Sequence, residues 1–150
     1  MTDDLHEAGE YQPRSQAMVM LTGLYLFLLL MTVMSYGQPV PLFGQLLEGT
    51  AARIFIVVDS LVCLHLFLGL WQRQLLTWRL LLVYNVYEML NTLINLWLVP
   101  HKELERLLER QIDPSAMLLS NLVTVGIVVW ITWVIWKQRP QFTNRSPYLF

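Results

Sequence analysis

The sequence predicts an all-α fold: an integral membrane four-helix bundle, with a short amphipathic interfacial helix between helices 3 and 4. Three observations carry this. Four stretches of about 20 apolar residues fill most of the chain, and 20 helical residues rise about 30 Å, the depth of a hydrocarbon core. The chain of 150 residues is 55% hydrophobic and 14% charged, whereas soluble domains carry about 25% charged residues. Six Trp and six Tyr suit the belts where a membrane protein meets the headgroups. All 150 residues are read as a single transmembrane domain, with no soluble domain large enough to fold alone. The net charge of −1 and the lack of a basic stripe argue against nucleic-acid binding.

The first span, Ala17–Tyr36, contains no charged residue. It follows an acidic segment (Asp3, Asp4, Glu7, Glu10) and ends in Ser-Tyr-Gly-Gln-Pro with no small-residue cleavage pattern, so it reads as an uncleaved helix. The connection Gly37–Thr50 holds Pro39 and Pro41. Proline fixes φ and disfavours helix in the residue before it, so an extended loop is expected. Its Leu42, Phe43, Leu46 and Leu47 are apolar enough to touch the membrane surface or a neighbour. The second span, Ala51–Leu70, contains Arg53, Asp59, Cys63 and His65. A short turn, Trp71–Arg79, makes the second and third spans an antiparallel hairpin. The third span, Leu80–Val99, contains Glu88 together with Asn85, Asn91 and Asn95.

Between the third and fourth spans, residues 101–112 carry Leu104, Leu107, Leu108 and Ile112 on one helical face. That face either lies on the bilayer surface or docks against another subunit. Asp113-Pro114 then reads as a helix N-cap followed by Pro at the first helical position. The fourth span, Ala116–Trp136, contains no charged residue, and Ser120 and Thr124 offer a weak site for close helix contact. Trp130, Trp133 and Trp136 followed by Lys137 and Arg139 form an aromatic anchor with a basic flank. The polar tail Pro140–Phe150 should be mobile unless something holds it. Four spans place both termini on one side with Arg14, Arg73, Arg79, Lys137, Arg139 and Arg145, against Arg53, Lys102, Arg106 and Arg110 opposite. The excess favours both termini in the cytoplasm.

Polar groups at mid-membrane depth are costly and must be satisfied by one another, by water or by a ligand. On the third span, Asn85, Glu88, Asn91, Thr92 and Asn95 fall, with Tyr84, on one stripe about 120° wide that points inward. Folding the hairpin brings Asp59 near the level of Asn91, and His65 near Asn85 and Glu88. Asp59 and His65 diverge by about 120° around the second span, which argues against a compact catalytic or metal centre. Three readings compete. The first is a packing network pairing Glu88 with His65 and Asp59 with Asn91. The second is a proton, ion or small-solute site at Glu88, Asp59 and His65. The third is cofactor or pigment ligation by His65, or partner contact through the stripe. No His-x-x-x-His, paired-Cys, nucleophile–base, phosphate-loop or dinucleotide pattern occurs, so neither a metal nor an enzyme is expected and no cofactor can be named.

The stretch Gly69-Leu-Trp-Gln-Arg-Gln-Leu-Leu-Thr-Trp-Arg79, and a tail in which Trp136 leads to Arg139-Pro140 and a terminal Phe150, resemble small uncharacterised bacterial four-helix membrane proteins. The restart lacks the Ala of the usual Trp-Ala-Arg. The resemblance covers about the last 80 residues, implies a bacterial inner-membrane location, and supplies no activity. The role expected from the whole chain is a non-enzymatic accessory or scaffolding subunit of a larger membrane complex. Its partners would be the bilayer and other membrane subunits or further copies of itself. A small transporter or proton conductor is the alternative, and a cofactor-binding subunit the third.

Overall fold

A computed structural model describes residues 13–99 and 113–146, and these are largely helical. The expected surface helix at 101–112, with Leu104, Leu107, Leu108 and Ile112, lies outside the described residues. In chain order the elements are α1 (Gln16–Met34), β1 (Val40–Leu42), β2 (Gln45–Leu47), α2 (Gly49–Trp71), α3 (Leu75–Leu98) and α4 (Pro114–Lys137). A 3₁₀ turn, Arg139–Gln141, follows. Three helices, α1, α2 and α4, are long and apolar enough to cross a membrane. The helix α3, which carries Arg79, Glu88 and three asparagines, is not among them.

Local chemistry sets the helix ends. The Ser15 hydroxyl accepts from Met18 N at 3.2 Å and caps α1. Asp113 caps α4 as expected, its Oδ1 accepting from Ser115 N at 3.0 Å and from Ser115 Oγ at 2.6 Å. Pro114 occupies the first turn, where a missing N–H costs nothing. Ser120 and Thr124 are both exposed, and Thr124 Oγ1 donates to Ser120 O within α4.

The α2–α3 turn is tighter than apolar patterning indicates. Only Gln72–Gln74 separate the helices, so Trp78 and Arg79 lie inside α3. A Cβ on Gly69 would meet the side chain of Thr77, with Thr77 Cβ at 2.7 Å. Glycine is what lets the two helices touch there. Gln74 N donates to Gly69 O at 2.9 Å, and Trp78 Nε1 reaches Ile135 O of α4 at 3.1 Å.

The tail also departs from expectation. Leu75 N donates to Asn144 O and Asn144 N to Arg73 O, at 2.8 and 3.1 Å, while Phe142 is buried in the core. Residues 139–146 are thus held by the chain's own turn. The core joins Met18, Leu21 and Tyr25 of α1, Leu66 and Leu70 of α2, Trp78 and Leu81 of α3, and Ile135 and Phe142. Ser15 Oγ donates to Gln138 Oε1 at 2.6 Å, so α1 starts, the α2–α3 turn sits and α4 finishes at one end of the bundle.

The first connection is not the extended loop expected. Val40 pairs with Leu47 and Leu42 with Gln45 in an antiparallel hairpin closed by Phe43 and Gly44. Both central residues have positive φ, 45° and 82°, as a type I′ turn demands. Gly44 suits that conformation; Phe43 pays for it with strain that outside contacts must offset.

Candidate functional site

The polar groups of α3 divide among the hairpin, α1, α4 and α2 instead of forming one site. At its outer end, Asn91 Oδ1 accepts from Phe43 N at 2.9 Å and Asn95 Oδ1 accepts from Gly44 N at 2.7 Å. Asn95 Nδ2 donates to Pro41 O and to Asn91 Oδ1, both at 3.0 Å. The Phe43 ring meets Tyr87 edge-on at 5.6 Å. Two asparagines and an aromatic pair therefore hold the strained hairpin turn against α3.

Near the middle, Asn85 is buried and bridges two other helices. Tyr25 Oη of α1 donates to Asn85 Oδ1 at 2.7 Å, and Asn85 Nδ2 donates to Thr132 Oγ1 of α4 at 3.2 Å. Thr132 passes its own proton to Val128 O at 2.7 Å. Every polar atom of the relay is occupied within the protein.

The third cluster holds the carboxylic groups. Tyr84 Oη donates to Asp59 Oδ1 at 3.0 Å and lies 3.4 Å from Cys63 Sγ. Glu88, one helical turn beyond Tyr84, interacts with the same hydroxyl and with the charge of Asp59. Thr32 of α1 interacts with both Asp59 and Cys63. Asp59 and Glu88, from two helices, thus both approach Tyr84, whose hydroxyl is hydrogen-bonded to Asp59.

The pairings expected from sequence are corrected on both counts. Asp59 meets Tyr84, not Asn91: with the hairpin recentred on a shorter turn, its partner lies seven residues, about two helical turns, earlier on α3. Asn91 is taken by the hairpin. His65 does not pair with Glu88; it lines a shallow apolar groove with Val62, Leu66, Val83, Tyr84 and Tyr87. The divergence of Asp59 and His65 around α2 is met by Tyr84 alone, whose hydroxyl faces one while its ring lines the groove of the other. Asn95 is likewise engaged by Gly44 and Pro41, leaving it no role for Arg53.

Tyr84 is the hub that sequence reasoning placed on the stripe without giving it a role. Tyr25, Thr32 and Thr132 carried no signal, since a lone hydroxyl in an apolar helix bonds its own backbone as readily as a neighbour. Among the described residues no group of three His, Cys, Asp or Glu side chains has the arrangement of a metal site. No protein-family model matches the chain, and comparison with curated proteins and with solved structures finds no match.

Proposed function

We propose that this chain is a four-span integral membrane protein of the bacterial inner membrane, with both termini cytoplasmic, that serves as a non-enzymatic accessory or scaffolding subunit of a larger membrane assembly. The observation that carries the reading is where the amides of α3 go. Asn85 ties α3 to α1 and α4, while Asn91 and Asn95 tie it to the hairpin, so the stripe is spent on architecture. Four spans are supported by connectivity. With α1, α2 and α4 crossing, and residues 15, 74 and 138 at one end, a crossing α3 carries the chain back to the side where α4 begins. The cationic residues Arg14, Arg73, Arg79, Lys137, Arg139 and Arg145 gather towards that end, favouring its cytoplasmic placement.

A partner is supported by α4. It packs on α3 and leaves Leu119, Leu122, Val123 and Ile127 more than half exposed along its length. A photo-reactive amino acid at Leu122 tests this in intact cells. A single discrete membrane-protein adduct is expected, and adducts with lipid alone would refute it.

A second reading rests on the cluster of Asp59, Tyr84 and Glu88. Two carboxyl groups beside one tyrosine, whose hydroxyl bonds Asp59, suit a proton or ion site, since intramembrane acids commonly mark such paths. Glu88→Gln and Asp59→Asn separate the two. Loss of flux or pH response in vesicles with assembly intact would favour transport; loosened packing alone would favour the scaffold.

A further inference from the structure

A groove runs along the lipid-facing junction of α3 and α4, walled by Val86 and Met89 on one side and by Val129, Trp133 and Trp136 on the other. Val86, Val129, Trp133 and Trp136 are each 46–59% exposed, so the groove opens outward. Behind it the Asn85–Thr132 hydrogen bond already satisfies its polar floor, so the walls call for an apolar occupant.

The groove has a charged end. Lys137 Nζ sits 3.8 Å above the ring of Trp133, which lines the groove. The Arg139 guanidinium lies 5.2 Å over Trp78, whose ring packs at 5.5 Å on Trp136, the last residue of the wall. Arg79 is two turns from Val86 on α3 and hence on the same face. No Asp or Glu occurs among residues 13–16, 71–80 or 133–146, the described segments at that end.

We propose that this groove seats an anionic phospholipid, one acyl chain along Val86, Val129 and Trp133 and the phosphate among Lys137, Arg79 and Arg139. An acyl chain matches an apolar channel open to the bilayer. Charge complementarity selects the headgroup, because Lys137 and Arg139 stand on aromatic rings at headgroup level, Arg79 is exposed on the same face of α3 as Val86, and no described acid lies beside them. The inference rests on the membrane-spanning reading and not on the accessory role.

The test is lipid binding to the purified full-length protein in detergent, followed by native mass spectrometry. Phosphatidylglycerol should bind more tightly than phosphatidylcholine of the same chains. Each cation removed in Lys137→Gln and Arg79→Gln should weaken it about fivefold, while Lys137→Arg retains it. Val129→Trp, which fills the groove, should also displace it. Equal binding of the two lipids would overturn the proposal, as would competition by soluble glycerol phosphate or unchanged binding in Val129→Trp. Should Lys137→Gln not fold, the lipid comparison on the unaltered protein and Lys137→Arg still decide. Failure of the membrane reading itself would look different: the chain would leave membranes without detergent.

Discussion

Tyr25 and Tyr84 do similar work at different depths of the bundle, each offering a hydroxyl to a polar group on a neighbouring helix. Tyr25 is 1% exposed and its acceptor, Asn85 Oδ1, is buried with it. Hydrogen bonds between membrane helices contribute about 0.6 kcal/mol on average and at most about 1.7, because the unfolded chain in lipid also finds partners. Tyr25→Phe should therefore cost on the order of 1 kcal/mol in reversible unfolding, and Asn85→Leu more, since it strands both Tyr25 and Thr132. A cost near zero for both would remove Asn85 from the architecture. Gly69 belongs to the same scale. Its neighbour Thr77 leaves no room for a methyl group, which gives the Gly-Leu-Trp turn a packing reason.

Among the elements, the long apolar helices were legible because about 20 uninterrupted apolar residues have few alternatives to a buried or spanning helix. Their ends were not. Trp78 and Arg79 look like headgroup chemistry, yet they sit in the first turns of α3, since aromatic and basic side chains at a membrane interface are as compatible with helix as with turn. The hairpin was hidden by Pro39 and Pro41, and by Phe43-Gly44, which is not among the Asn-Gly, Asp-Gly or Gly-Gly pairs that mark such turns. Its stability rests on side chains 48 to 54 residues away, which local patterning does not carry. Replacing both Asn91 and Asn95 by Ala should release the turn. Amide exchange of Phe43 and Gly44 should rise sharply while α1 and α2 stay protected, and unchanged protection would show that the asparagines do not hold it.

The α4 cap carries a pH dependence. Hydrogen bonds from the Ser115 hydroxyl and amide hold the Asp113 carboxyl below its usual 3.8. A depressed carboxyl stabilises the folded state above its unfolded value, and the benefit fades as pH falls through the folded one. Exchange at Ser115 and Met117 should therefore increase only under distinctly acid conditions, and Asp113→Ala should show the frayed behaviour at neutral pH. Fraying of the native cap between neutral pH and about 5, well above the usual carboxylate range, would contradict this sign.

At the scale of the whole molecule, a polar stripe on α3 was legible in the sequence, but the division of its residues among α1, α2, α4 and the hairpin was not. A stripe reports a direction. Partners depend on register, and a turn shorter by a few residues reassigned Asp59 from Asn91 to Tyr84. The described amides of α3 are engaged by neighbouring elements, and Asp59, Tyr84 and Glu88 are the groups that the second reading uses. The same division supports the scaffold reading, in which the inner faces build the bundle and the apolar outer face of α4 meets a neighbour.

The most direct test is purification in mild detergent with a size and composition measurement of what remains together. The account predicts that the 17.6 kDa chain migrates within a larger complex containing another integral membrane protein in fixed proportion. Isolation as a single chain carrying lipid alone, with ion or proton flux in vesicles abolished by Glu88→Gln, would contradict it.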